Sequence, residues 1–488
     1  MVFSACESEL DLTSPSELTA AGFWDTETGA KTAHTGMYAN LRSSASNLWL
    51  LGEMRSDIWG GRTYESPNNE SLIRNDITIA SAPFGGWAVI YTRIHRINDF
   101  LKNVPNITFV KESDKNHLLG QAYGLRAFYY YTLLKTWGDV PIILEPLGKV
   151  DPATLAKERA PQAEVMAQIK SDLAASLTAF GSDNSFYEGQ RIYWSKAATL
   201  ALKGDVYIWS GNLLGGGNAD FTEAKTALQQ IASLDVSLAP SISNLWGVSN
   251  ENNKEFIFAI QYKQDEAENF YNSLTGRSTE INPQFNNAGA SMSSFVINGA
   301  NRYGPSEKTI LLLDDNKDAR KNATFIYLYK DNAGYPTYNE PKYFGSVFNK
   351  FLGVVKGTIR VFENDVPVYR YADVLLMIAE AKNLLNEDPS GEINLIRQRA
   401  YGANYVPATD AYVNGSKTAN ANAILNERYK EFVGEGKRWW DLRRAGNSFV
   451  IANVSFLNPG DEYKLVLPIT NDMIGRNPLL EQTPGYTN

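Results

Sequence analysis

The sequence predicts a mainly α-helical protein built of paired helices and interrupted by one loop-rich, partly β region. Apolar residues recur at three- and four-residue steps over long stretches in both halves of the chain. Small residues stand on those stretches where neighbouring helices would have to approach closely, as in Gly120, Ala122, Gly124 and Ala127, and in Ala197, Ala198, Ala201 and Gly204. Between residues 239 and 368 the helical period gives way to short β-favouring runs separated by Asn-, Gly- and Ser-rich turns.

In chain order, a polar leader (1–15) precedes helical patterns over 26–42, 84–104, 113–137, 161–180, 194–214 and 221–234, which arrive in adjacent pairs. Strand-like runs follow at 255–260, 325–329 and 358–362. The helical pattern then returns over 369–385, where Tyr371, Val374, Leu375, Ile378, Ala381 and Leu385 share a face. It continues over 390–400, beyond Pro389, and over 421–432. The division is therefore 1–15 leader and tether, 16–238 N-terminal helical part with a ligand loop, 239–368 loop-rich insertion with short strands, and 369–488 C-terminal helical part, all compatible with one compact fold. No strict 34-residue period is visible, so spacing alone names no repeat family.

A chain of 488 residues at 43% hydrophobic and 12% aromatic can bury a large core. Its net charge of −8 and the absence of any Lys/Arg-rich run argue against a nucleic-acid partner; neutral ligands fit better. The single cysteine excludes an internal disulfide and a Cys-based zinc site. No apolar run reaches the roughly 18 residues of a membrane helix, so any membrane attachment would have to be by lipid.

Nothing encodes a recognisable catalytic apparatus, and no cofactor or metal is expected. His34, His95 and His117 lie far apart in helical patterns and read as packed or solvated residues. Gly434-Glu435-Gly436-Lys437 and Gly215-Gly216-Gly217 read as turns, lacking the spacing or the lysine of a phosphate loop. Asp314, Asn316 and Asp318 begin like a calcium loop, but Ala319 stands where glycine is needed and Phe325 where the closing glutamate should be. The acidic residues offer no local pattern for a glycosidase pair.

Two clusters suit ligand binding, because flat rings stack on sugar faces while carboxylates, amides and guanidinium groups bond hydroxyls. The first is Asp57, Trp59, Arg62 and Tyr64 around Gly60-Gly61, where Trp59 either stacks on ligand or plugs the core. The second is Phe270, Tyr271, Arg277, Phe285, Arg302 and Tyr303 in the insertion, with Tyr335 and Tyr338 as weaker candidates. Trp137, Trp194, Trp209, Trp439 and Trp440 read as core, and Arg126, in an apolar helix, needs a buried partner.

The stretch Ile424 to Arg444, ILNERYKEFVGEGKRWWDLRR, sets an apolar helical face beside ordered charges and suits a partly buried network of charge-assisted bonds. It resembles the signature near the end of the SusD/RagB family, the surface nutrient-binding lipoproteins of Bacteroidetes. Residues 122–141 (AYGLRAFYYYTLLKTWGDVP), 370–381 (RYADVLLMIAEA), 393–400 (INLIRQRA) and 467–486 (LPITNDMIGRNPLLEQTPGY) are similar to further blocks of that family, in the same order. Glu53-Met54-Arg55-Ser56-Asp57 fits its "[ED]-x-x-S-D" pattern, beyond which loop aromatics line the ligand pocket.

The resemblance implies a tetratricopeptide-like helical-repeat scaffold and a binding protein without enzymatic activity. It would capture oligosaccharide or polysaccharide and deliver it to a SusC-like TonB-dependent transporter, on which it acts as a lid. The alternative ligand is peptide, as in the RagB branch; glycoside hydrolysis is the remote alternative. Val2-Phe3-Ser4-Ala5-Cys6 looks like the remnant of a lipobox, which implies lipid attachment at Cys6 and a surface-exposed outer-membrane lipoprotein. Phe3 departs from the usual aliphatic residue, and five residues are too few for a signal peptide, so the precursor is expected to begin earlier.

Overall fold

The computed structural model describes residues 20–60, 70–80, 82, 86–147, 156–299 and 303–486. Short helical turns aside, the first half carries α1 (Glu27–Glu53), α2 (Ala88–Asn103), α3 (Glu112–Trp137), α4 (Gln162–Phe180), α5 (Lys196–Leu213) and α6 (Gly217–Gln230). Consecutive helices pack on one another, most extensively α3 on α4 and α5 on α6. Glycine permits the close approach: a Cβ at Gly124 would lie 2.1 Å from Trp194 Nε1, and one at Gly204 would lie 2.4 Å from Leu228.

Helix α1 outruns the expected end at residue 42. Met37, Leu41, Ala45 and Trp49 keep a four-residue stride on the buried face, and this carries the helix through the polar Ser43–Asn47 stretch to Glu53. Thr26 caps its start by accepting from Gly29 N. Ser195 caps α5 in the same way through Ala198 N.

The second half opens with β1 (Phe256–Ile260) and β2 (Phe285–Asn286), then α7 (Glu307–Leu313), α8 (Arg320–Thr324), β3 (Phe325–Tyr329), β4 (Tyr343–Phe348), β5 (Val354–Lys356), β6 (Ile359–Val361) and β7 (Val366–Arg370). Among the described residues these strands form three small antiparallel sheets, β1–β7, β2–β3–β4 and β5–β6. Strand β7 runs directly into α9 (Tyr371–Leu384), followed by α10 (Ser390–Tyr401), α11 (Lys417–Phe432), α12 (Arg438–Ala445), α13 (Asn447–Asn453) and α14 (Asn471–Arg476). Helix α9 touches α6, α10 and α11, which ties the two halves together. No described helix is long and apolar enough to cross a membrane.

The charges of α11 and α12 face inward. Arg370 is fully buried and bonds the carboxylates of Glu255, Glu431 and Glu435, while Arg399 bridges Glu255 and Glu431 at 2.9 and 2.5 Å. Arg428 pairs with Asp373 (2.7 Å) and Asp441 (2.8 Å), and Arg444 with Asp205 (2.9 Å), Glu380 (2.6 Å) and Asp441 (3.4 Å). Charges this deep are tolerated only when paired, so the signature segment acts as the internal lock between helices and strands. Trp137, Trp194, Trp209 and Trp439 are buried; Trp440 is half-buried. Arg126 finds its partner in Asp172, bound through Nε at 2.9 Å and through the second guanidinium nitrogen at 2.6 Å.

Candidate functional site

The loop-forming segments of the two predicted clusters meet. Gly60 N donates to Gly304 O (3.1 Å), Ser306 N to Ile58 O (2.7 Å) and Thr309 Oγ1 to Ile58 O (2.7 Å), and Trp59 bridges Pro305 across this short ribbon. Arg62, Tyr64 and Arg302, with the expected lipid-attachment residue Cys6, lie outside the described residues.

Several expected contact residues prove to be structural. Asp57 is buried and ion-paired with Arg438 (2.8 Å) and Lys308 (2.7 Å). Burial alone would raise its carboxyl, but Arg438 and Lys308 outweigh that and hold it below the ordinary value. Trp59 is only 3% exposed and packs edge-on or tilted against Trp49, Tyr303, Phe325 and Phe348 at 6.2–6.3 Å, so its ring offers no face to a ligand. Tyr271 is fully buried and donates to Gly434 O at 2.6 Å. Tyr303 is buried between Trp49 and Trp59.

The three aromatic corrections share one cause. Gly434 and Gly436 turn the chain between α11 and α12, Glu53 at the end of α1 accepts from both of their N–H groups (2.7 and 2.9 Å), and the aromatic residues fill the space around that junction. Burial pushes the Glu53 carboxyl up to about 8 despite those two bonds.

Phe270 stays half-buried, stacked on Tyr271 at 4.5 Å and 27°. Arg277 is exposed at the start of a short helical turn, its N–H donating to Glu280. Phe285 is half-buried on β2, immediately before the lip of a cleft.

That cleft, about 270 Å³, lies between β2, the residues after it, and the junction of α8 with β3. Its polar lining is three amides, Asn286, Asn287 and Asn322; its apolar lining includes Met292, the half-exposed ring of Phe295, and Phe325. The amides are partly fixed. Asn286 Oδ1 accepts from Ala288 N (3.0 Å) and Ala290 N (2.9 Å), and Asn287 Nδ2 donates to Asn322 Oδ1 (3.2 Å). Among the described residues Asn286 Nδ2, Asn287 Oδ1 and Asn322 Nδ2 remain unspent, giving the cleft both donors and an acceptor.

Among the described residues, no charged side chain lines the cleft. Arg360 sits over the Phe295 ring at 4.9 Å and donates to Val296 O, steadying the aromatic wall. The Trp59 ring lies edge-on to Phe325, so Trp59 supports the lining without itself belonging to it. Tyr335 N donates to Asn287 O at 2.8 Å, and its ring stacks on Tyr329 at 4.6 Å, so the weaker candidate Tyr335 flanks the cleft.

The sequence reading singled out aromatics and passed over these amides. The available signal was Asn286-Asn287 in a strand-ending turn of the insertion, but nothing local marks Asn322, which helix α8 brings across from 35 residues away.

The calcium-like stretch is closed by a lysine. Lys321 Nζ lies 2.6 Å from Asp314 Oδ1 and 2.8 Å from Asn316 Oδ1, and Asp318 pairs with Arg320, so the ammonium occupies the acidic turn. His34 and His117 both bond Gln121, and burial lowers His34 to about 4. No group of described residues has the arrangement of a metal site.

Residues 254–486 match the model described as the SusD family, and residues 10–208 match one described as starch-binding, associating with the outer membrane. The SusD-like protein P38 of Formosa agariphila is 27% identical, over 99% of this chain and 96% of its own length. Among solved structures, NanU of B. fragilis is 37% identical with a TM-score of 0.88, covering 98% of this chain and 100% of NanU. A laminarin-binding SusD-like protein shares the fold at 21% identity and a TM-score of 0.73, over 95% of this chain and 100% of its own.

Proposed function

Because the chain belongs to the SusD family, we propose that it captures oligosaccharide at the bacterial surface and holds it in the asparagine-lined cleft. The observation that carries this reading is the chemistry of that cleft: among its described lining residues, three amides with unspent bonding capacity, one half-exposed ring and no charge. Neutral hydroxyls meet donors and acceptors there, and the apolar face of a sugar ring meets Phe295. A charged ligand finds no counter-ion among the lining residues.

On the same reading the protein hands its ligand to a TonB-dependent outer-membrane transporter, and its attachment is by lipid at Cys6. The match to a family described as associating with the outer membrane supports this placement. Capture needs no bond cleavage, so incubation with a bound glycan should return it intact.

Calorimetric titration against polysaccharide, oligosaccharide and peptide panels tests the ligand class. A neutral saccharide should bind, and Asn322→Ala should weaken it by up to about tenfold, the upper end of the net value of one neutral hydrogen bond. Binding of peptides alone would transfer the reading to peptide uptake.

A further inference from the structure

A second recess shares no residue with the cleft. Thr35, Tyr38 and Arg42 lie on one stripe of α1 and face Tyr193, Gln261 and Glu266 across a hollow of about 120 Å³. It has room for one ring and is open to solvent along its rim, where Thr35, Gln261 and Glu266 are exposed.

The hollow has a rigid aromatic side. Tyr193 is half-exposed, meets Tyr38 edge-on at 5.1 Å and 89°, and is backed by His34, stacked at 5.6 Å and 27°. Tyr187 closes on it from a further side at 5.1 Å. Tyr38 cannot turn away, because its hydroxyl donates to Gln121 Oε1 and accepts from Trp194 N at 2.9 Å.

Beside the rings stands a polar rim. Arg42 donates to Glu266 at 3.1 Å, so the two charges cancel. The Gln261 side-chain amide and the Tyr193 hydroxyl make no hydrogen bond among the described residues. Fixed rings beside planar donors and acceptors of zero net charge are suited to the apolar patch and hydroxyls of a neutral sugar residue.

We infer that this recess is a second saccharide subsite, taking one sugar residue of a polymer whose other part is held at the protein's first saccharide site. The inference rests on the glycan reading but not on the location of the first site. Its consequence is selection by length: a long polysaccharide engages two points and gains effective concentration, whereas a short oligosaccharide engages one.

The test uses the full chain and the saccharide series that binds it, in calorimetry for short oligosaccharides and in affinity electrophoresis through gels cast with the corresponding long polysaccharide. Tyr193→Ala and, separately, Gln261→Ala are compared with the unaltered protein; Gln261 is exposed, so its change leaves the core intact. Each variant should keep short-oligosaccharide affinity within about twofold and lose tenfold or more of long-chain retention, the lower end of avidity effects. Long-chain retention unchanged in both variants overturns the second subsite while leaving the glycan reading standing. A native protein that binds no saccharide of any length overturns both.

Discussion

Trp59 gives the sharpest separation between supporting a site and touching its ligand. Trp59→Ala deletes a ring that is 3% exposed and has four aromatic neighbours at 6.2–6.3 Å, so it leaves a cavity in the centre of the fold. Large-to-small changes of this kind cost about 3–5 kcal/mol. Trp59→Phe keeps most of the volume and also removes an indole N–H that is buried without an acceptor among the described residues, so its cost should stay below about 1.5 kcal/mol.

Urea denaturation gives both values from the midpoints, and calorimetry on the same proteins gives saccharide affinity. Since Trp59 reaches the cleft only through Phe325, Trp59→Phe should hold affinity within about threefold, whereas Trp59→Ala should lose stability first and binding with it. A Trp59→Phe protein with an unchanged midpoint and affinity reduced tenfold, about 1.4 kcal/mol, would refute the reasoning and put the indole against the ligand.

Other consequences can be measured alongside. Arg370→Met strips a guanidinium from three buried carboxylates and should cost about 3–5 kcal/mol in urea denaturation; adding Glu435→Gln should recover part of that loss, and strict additivity would contradict the network. Lys135, held over Tyr131 and Trp440, is lowered by burial from 10.5 to about 8. The folded state resists that ammonium, so stability should rise as pH climbs from about 8 to 10.5, and Lys135→Met should remove this slope and add on the order of 3 kcal/mol at pH 7. No slope change between the two proteins would dismiss the assignment.

Glu251 and Asp365 are raised to about 8 and about 7, Glu251 by burial and then by Asp365, Asp365 by burial. Their cost to stability is absent below the ordinary carboxylate range and complete above about 8, so stability from this pair should increase as pH falls from 8 toward 5. Glu251→Gln should flatten that trend in pH-dependent urea midpoints, and an unaltered profile would exclude the pair as its source. Below that window Glu431 and Asp373, both lowered below the ordinary range within their arginine and lysine pairs despite burial, begin to lose their ionic partners and stability should fall again.

The helices were legible because their signal is periodic and local. Strand β3 also fell where the Phe325–Tyr329 run placed it, and the need of Arg126 for a buried partner followed from the cost of an unpaired buried cation, while the choice of Asp172 did not. The inward charges of the 424–444 segment were readable in kind, while their partners, such as Glu255 and Asp205, come from distant chain positions that spacing does not encode.

The ligand site was less legible for the same reason. Trp59, Tyr271 and Tyr303 have the composition of a sugar platform, and only the junction of α1 with the Gly434–Gly436 turn decides that they face inward. Asn322 reaches the cleft through the fold of α8 onto β3.

The most direct measurement is a crystal structure of the protein with the tightest neutral oligosaccharide found by calorimetry. A sugar residue in the asparagine-lined cleft, stacked on Phe295 and hydrogen-bonded to at least two of Asn286, Asn287 and Asn322, is the expected result. An oligosaccharide bound elsewhere, with that cleft holding only solvent, would contradict the assignment of the site.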